Sequence, residues 1–410
     1  MNTSSKKKKV NRTKRFIYFF LGFLILLNLL IITSGKSYLY KGLKETYFKG
    51  KTGPGIYDSL VFENRFVKAG DQSVPLLVSE SASALTNEEK EFLASIQTTS
   101  FLILKNNELI IEHYWDEHTK NTKSNSFSMA KSIVGLLVGI AVDNGHISSF
   151  DAPIANYVDF FENGDQVTIR NLLTMSSDLN WRESGSNPFS ENAAAYYGRN
   201  LEKLISRLTF GNKVNDYFHY ASGNSQILGF ILQKATKMRL SEYLQEQIWD
   251  KIGAENDAFW SLDSKGGMEK TFCCLYASTR DFAKIGQLIL NQGKLNEKTI
   301  VSETTLNELV QPALLNDGSN NIRYGMHFWL TNYEGHDVVY LRGILGQYVI
   351  VVPDWDMVIV RTGHERMDKI ERQEGVQKDY RFDHPEDLFY YLKIGKERFM
   401  QNLMNKGKGY

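Results

Sequence analysis

The chain has 410 residues, 42% hydrophobic and 23% charged, with a net charge of +1, the balance of an ordinary globular protein of one large domain or two modest ones. Lys6, Lys7, Lys8, Lys9, Arg12, Lys14 and Arg15 crowd into residues 1–15 without an acid, so the remainder is mildly acidic and does not ask for a nucleic-acid partner. Two cysteines, Cys273 and Cys274, cannot build a disulfide framework, and eight scattered histidines without HExxH spacing argue against zinc, so no cofactor is expected.

Residues 16–32 are apolar apart from Gly22 and Asn28. At about 1.5 Å per residue such a helix spans roughly 25 Å, the short end of what a bilayer core needs. Ile-Thr-Ser-Gly follows rather than a small-x-small cleavage site, which favours an uncleaved signal anchor over residues 16–33. The basic residues then place the 1–15 tail in the cytoplasm and the rest outside, single-pass in the cytoplasmic membrane. A cleaved signal peptide is the alternative. Residues 34–75 read as a stem and irregular lead-in, and residues 76–410 as the exported domain. Adjacent cysteines rarely bridge each other, so Cys273 and Cys274 are expected as partly buried thiols.

Residues 100–115 predict a β-hairpin turning at Asn106-Asn107. A helix is predicted over residues 128–144, with Ile133, Val134, Leu137, Val138 and Ala141 on one face and Gly145 as its C-cap. Residues 150–310 are mostly helical patterns, clearest at 201–208, 225–237, 241–252 and 278–291. Strands are predicted at 324–330, 337–342, 347–352 and 357–361, and a last helix at about 385–404. The expected fold class is therefore α/β, with an antiparallel sheet gathering the first hairpin and the last strands and flanked by helices. A mostly α-helical lobe is inserted at about 150–310, and an N-terminal transmembrane helix precedes the whole. A site is expected in a cleft of such an arrangement.

Three clusters could carry chemistry. Ser128-Met129-Ala130-Lys131 is an S-x-x-K at a helix start, where three residues make nearly one turn and put both side chains on one face. A buried amine held neutral can take the proton of a serine hydroxyl, which is otherwise a poor nucleophile. The bland alternative is a helix cap followed by a solvated lysine. Tyr220-Ala221-Ser222-Gly223-Asn224 offers a phenol that could relay protons, or simply an N-cap with a packed aromatic. Gly343-Ile344-Leu345-Gly346-Gln347 leads into a strand whose N–H could form half of an oxyanion hole, or is an ordinary hairpin turn.

In this order and spacing the clusters resemble the serine β-lactamase and DD-peptidase superfamily, nearest to class C-like esterases and 6-aminohexanoate-dimer hydrolases. Residues 168–177 and 271–286 also look like segments of that family, as do residues 346–361, and the resemblance extends from about residue 76 to the C-terminus. It implies the β-lactamase/penicillin-recognising fold. It implies Ser128 as acylated nucleophile, Lys131 as general base and Tyr220 as proton shuttle. Ser222 stands where many relatives have asparagine and is expected to hydrogen-bond Lys131. Gly346 and the backbone N–H of Gln347, with that of Ser128, would serve the oxyanion hole. The third motif departs from the family: Ile344 replaces its cation, and Arg342 is the nearest substitute. That loss favours small esters or amides over β-lactams. Asp178 stands where a glycine is usual.

The function expected is an extracytoplasmic serine hydrolase acting on a small-molecule or peptide-like acyl substrate. The alternatives are a catalytically idle, membrane-tethered module that binds a cell-wall peptide, or a true β-lactamase or DD-peptidase. Nucleotide binding fails, because Glu45 stands where the first glycine of a P-loop ending at Gly50-Lys51-Thr52 is needed. No G-x-S-x-G elbow is present. The sequence leaves the oligomeric state open.

Overall fold

The computed structural model describes residues 3–372 and 379–407. The chain divides into two compact units, Met1–Pro54 with Ser184–Arg199, and Gly55–Glu183 with Asn200–Tyr410.

The smaller unit begins with helix α1 (Thr3–Thr33). Its segment Lys14–Thr33 is 20 residues long, apolar and unburied, and by length and composition could cross a membrane or serve as a signal sequence. A short helix, Tyr38–Glu45, lies against another, Glu191–Tyr197, where Gly42 meets the Tyr197 ring.

The larger unit holds two main antiparallel sheets, besides two short two-stranded ribbons, Lys294–Leu295 with Lys298–Thr299 and Ala313–Leu314 with Asn320–Asn321. The strands of the main sheets are β1 (Asn64–Val67), β2 (Thr98–Lys105), β3 (Glu108–Tyr114), β4 (Lys123–Asn125), β5 (Ala258–Ser261), β6 (Leu275–Ser278), β7 (Trp329–Tyr333), β8 (His336–Gly343), β9 (Gln347–Val352) and β10 (Met357–Gly363). The main sheet runs β7-β8-β9-β10-β2-β3 and the smaller one β1-β5-β6-β4. The expected union of the first hairpin with the last strands is the β10–β2 pairing, Ile359 opposite Ile103. Asn106 and Asn107 turn the hairpin with φ of 51° and 64°, a left-handed pair that asparagine tolerates best among residues with a side chain.

Five of this unit's helices matter for the site: α2 (Asn87–Ser95), α3 (Met129–Asp143), α4 (Ser222–Thr236), α5 (Thr279–Leu290) and α6 (Asp387–Gly407). Leu93 of α2 with Leu388, Tyr391 and Leu392 of α6 buries one face of the main sheet against Phe101, Ile103, Tyr348, Ile350 and Ile359. Helix α5 packs on the other face. Both faces are covered, so β9 and β10 are buried along their whole length, and their sequences run apolar instead of alternating.

Three expectations shift. Residues 55–75 belong to the larger unit and supply β1, which pairs with β5. The helical stretch 150–310 also contains β5 and β6. The strand expected at 324–330 starts only at Trp329, because His327 adopts a φ of 68° and bends the chain before it.

Candidate active site

Ser128 opens helix α3, and its approach is unusual. Phe127, just before it, is buried with a φ of 44°, a conformation costly for a bulky side chain. Asn125 holds that turn: its Oδ1 accepts from Phe127 N–H at 2.9 Å, and its amide donates to the Tyr276 hydroxyl at 3.1 Å. The Ser128 hydroxyl makes no capping bond to the helix it begins. It accepts from Lys131 Nζ at 3.0 Å instead.

Lys131 is 1% exposed and also donates to the Phe272 carbonyl at 2.7 Å. A solvated lysine behind a helix cap is therefore not what the fold builds. The loop that carries this carbonyl is tied down on both sides. Trp260 Nε1–H donates to the carbonyls of Lys270 and Cys273, and the Thr271 hydroxyl donates to Ser225 O at 2.7 Å. Cys273 and Cys274, expected as free thiols, are joined in a disulfide and buried, which the backbone accommodates with a φ of 70° at Cys274.

Tyr220 reaches the same place from the loop before α4. Its ring centroid lies 5.2 Å from Lys131 Nζ, and it packs against Tyr324 and Trp329. The loop is pinned by the 175–178 segment: His219 N–H donates to Met175 O, and Ser177 donates to Asn224 Oδ1 at 2.7 Å. Asp178 occupies a left-handed position, φ 55°, which explains the glycine usual there. Aspartate also tolerates that conformation, and its carboxylate accepts from Tyr217 OH and Lys213 N–H.

Ser222 departs from expectation. Its hydroxyl and its N–H both donate to the Glu183 carboxylate at 2.8 Å, and Trp181 Nε1–H joins them there. The lysine's side-chain bonds go to Ser128 and Phe272 instead. Glu183 carries no sequence signal of its own, since a lone acid in a polar loop reads as solvated.

The third cluster forms the β8–β9 hairpin, in which Gly343 faces Gln347. A Cβ on Gly343 would stand 2.3 Å from Ser126 O, so only glycine lets this strand end approach the chain two residues before Ser128. Leu345 and Gly346 turn with φ of 61° and 81°. The Arg361 guanidinium, fully buried on β10, clamps them through the carbonyls of Leu345 at 3.1 Å and Gly346 at 2.8 Å. A Cβ on Gly346 would collide with that guanidinium. The Gln347 amide is buried and locked to Gly363, donating to its carbonyl at 2.7 Å and accepting from its N–H at 3.2 Å. Ile344 presents only hydrocarbon.

Two basic groups near the site differ in kind. His327 is fully buried between Ser225 and the Leu173 carbonyl, and burial pushes its pKa down to about 3, so it adds no charge beside Lys131. Arg342 shares the Tyr340 and Tyr348 face of the sheet and lies flat on Trp329, 3.4 Å from the ring centroid.

The Beta-lactamase family profile matches residues 85–365. The chain is 25% identical over 290 residues to the 6-aminohexanoate-dimer hydrolase of Paenarthrobacter ureafaciens, a match covering 64% of this chain and 72% of that one. A solved Bacillus anthracis protein assigned as a 6-aminohexanoate-dimer hydrolase superposes with a TM-score of 0.69 at 20% identity, covering 84% of this chain and 92% of its own. A penicillin-binding protein from Bacillus halodurans superposes with a TM-score of 0.56 at 16% identity, covering 68% and 95%. With Ser128 and Lys131 at the helix start and the β8–β9 hairpin beside them, this chain has the β-lactamase fold and belongs to the Beta-lactamase family.

Proposed function

We propose that the protein is an extracytoplasmic serine hydrolase that cleaves an ester or amide through an acyl-enzyme on Ser128. One observation carries this: a lysine buried to 1% exposure spends a hydrogen bond on the hydroxyl of a serine that caps nothing. In the reaction Lys131, in its neutral form, accepts the Ser128 proton as Oγ attacks the acyl carbon. The backbone N–H groups of Ser128 and Gln347 receive the charge that develops on the carbonyl oxygen. Tyr220 relays the proton to the leaving group, after which water, activated by the same base, releases the acid. The hydrolases among the relatives support cleavage of an acyl bond. The segment Lys14–Thr33, about 30 Å long at 1.5 Å per residue, supports a membrane anchor with the larger unit outside.

The test is labelling by an alkyl fluorophosphonate followed by peptide mass spectrometry. Modification at Ser128, lost in Ser128→Ala, is expected, whereas an unlabelled Ser128 in folded protein would refute the acyl-enzyme. Protease added to intact spheroplasts should digest the larger unit, and its protection would invert the topology.

A further inference from the structure

A disulfide stabilises mainly by closing a loop in the unfolded chain, so a bond between neighbouring residues closes almost none and gains little by that route. The effect of the Cys273–Cys274 bond is local instead. It ties the side chains on either end of one peptide and narrows the backbone conformations open to both residues. Cys274 has a φ of 70°, a left-handed conformation that a residue with a Cβ disfavours and glycine adopts freely. Both residues are buried in the wall of the site, 4% exposed at Cys273 and 0% at Cys274.

The groups that flank the pair are partners of the candidate base and of the strand that enters the nucleophile. Immediately before it, the Phe272 carbonyl accepts from Lys131 Nζ at 2.7 Å. Immediately after it, the Leu275 carbonyl accepts from Ser126 N–H at 2.8 Å, two residues ahead of Ser128. The hydroxyl of Tyr276, next in the chain, accepts from the amide of Asn125, which holds the Phe127 turn.

The pair's own carbonyls are taken by β5. Cys273 O accepts from Trp260 Nε1–H at 2.7 Å, and Cys274 O accepts from Ser261 N–H at 3.0 Å. With β5 gripping the middle, a change of backbone angle at Cys274 swings Phe272 against Leu275. The acceptor of Lys131 then moves relative to the support of Ser126, and the spacing of base and nucleophile moves with it.

We propose that the Cys273–Cys274 disulfide is a positioning element of this active site. It fixes the 272–275 backbone so that the Phe272 carbonyl stays on Lys131 and the Leu275 carbonyl on Ser126, and its loss lowers turnover more than stability. This rests on Ser128 and Lys131 acting as nucleophile and base. The oxidising surroundings of an exported domain preserve such a bond.

The experiment uses the full chain in detergent. Alkylation with iodoacetamide in denaturant without a reductant, followed by intact mass measurement, should add nothing. Two added groups would show open thiols and overturn the proposal. Turnover of p-nitrophenyl hexanoate is then compared among variants. In Cys273→Ser/Cys274→Ser, kcat should fall about tenfold or more while KM stays within about twofold, the pattern of a displaced reacting group rather than lost substrate binding. Its thermal transition should stay close to that of the wild type. Cys273→Ser/Cys274→Gly, which readmits the left-handed conformation without the bond, should recover kcat to within about threefold of the wild type. Cys273→Ala/Cys274→Ala takes the place of the serine pair if that pair does not fold. Wild-type kcat in the unbonded variants overturns the positioning role. So does a loss that follows the thermal transition and is not relieved by glycine, which marks packing alone. If the wild type does not hydrolyse the ester and Ser128 takes no fluorophosphonate, the hydrolase reading fails instead. The positioning is then read by hydrogen exchange: the amides of Ser126 and of residues 271–275 should exchange faster in the serine pair than in the wild type, and equal protection overturns it.

Discussion

Lys131, Lys270 and Lys284 are the lysines buried among the described residues, and the first and last of them differ in what they face. Lys131 on α3 is 1% exposed and Lys284 on α5 is 2% exposed. Each donates to backbone carbonyls, Lys131 to that of Phe272 and Lys284 to those of Val74 and Gly253. Only Lys131 also meets a hydroxyl, that of Ser128, with an aromatic ring over it. Burial of an amine is thus not by itself a sign of catalysis. Lys284 ties α5 to two loops, whereas Lys131 leaves one of its donors on a group that can react.

The sharpest way to break that contrast is at the serine. Ser128→Ala should lower turnover of an activated ester by about 10³-fold or more while leaving the thermal transition in place. Near-normal turnover would reduce Lys131 to a second Lys284. Lys131→Ala should cost about 10²- to 10³-fold, because the nucleophile remains but loses its base. Lys131→Arg should not rescue it, since a guanidinium stays protonated. Activity largely kept in Lys131→Ala would make Tyr220 the principal base.

The sequence made Lys131 legible and hid Lys284. Ser128 and Lys131 share a face because a helix repeats every 3.6 residues, and the apolar spacing from Ile133 to Ala141 announces that helix. The Asn106-Asn107 turn is legible for an equally local reason. What could not be read depends on partners far along the chain. Strand β1 is four residues long, and its partner β5 lies nearly 200 positions away. Arg361 in a strand gives no hint that it will clamp the Leu345-Gly346 turn, and the Phe127 backbone conformation is imposed by Asn125 and the sheet behind it. The motif positions were local, and the scaffold that aims them was not.

A structural role for Lys284 has its own signature. Burial lowers its pKa, with the nearby Asp281 and Glu255 carboxylates opposing the shift. Between that lowered value and the ordinary lysine value of about 10.4, the unfolded chain binds more protons than the folded one. This group's contribution to stability therefore rises with pH across that window, and its penalty is complete below it. Lys284→Ala should destabilise by roughly 1–3 kcal/mol at neutral pH, since two carbonyls lose their donor. It should also flatten the alkaline rise seen in wild type by denaturant titration, with turnover within about twofold. A loss of turnover comparable to that of Lys131→Ala, in folded protein, would erase the distinction between the two lysines.

The smallest effect is expected at Ser222, which tests whether Lys131 has a further partner during turnover. Family resemblance assigns Ser222 to the lysine, but its hydroxyl goes to Glu183 Oε1 and its N–H to Glu183 Oε2. Removing the hydroxyl in Ser222→Ala leaves the carboxylate its bonds from the Ser222 N–H and from Trp181 Nε1. The cost should therefore be one charged hydrogen bond partly compensated, about 1 kcal/mol of stability. Ser128 and Phe272 still hold Lys131, so kcat should fall by no more than about threefold and the pH profile should keep its shape. Chemical denaturation and a pH series of kcat/KM measure both quantities on the same preparation. A loss of about 10²-fold with unchanged stability would mean that the hydroxyl leaves Glu183 for Lys131 once substrate is bound. The base would then be held by three side-chain contacts during turnover, and its difference from Lys284 would lie in a rearranged network rather than in the one hydroxyl of Ser128.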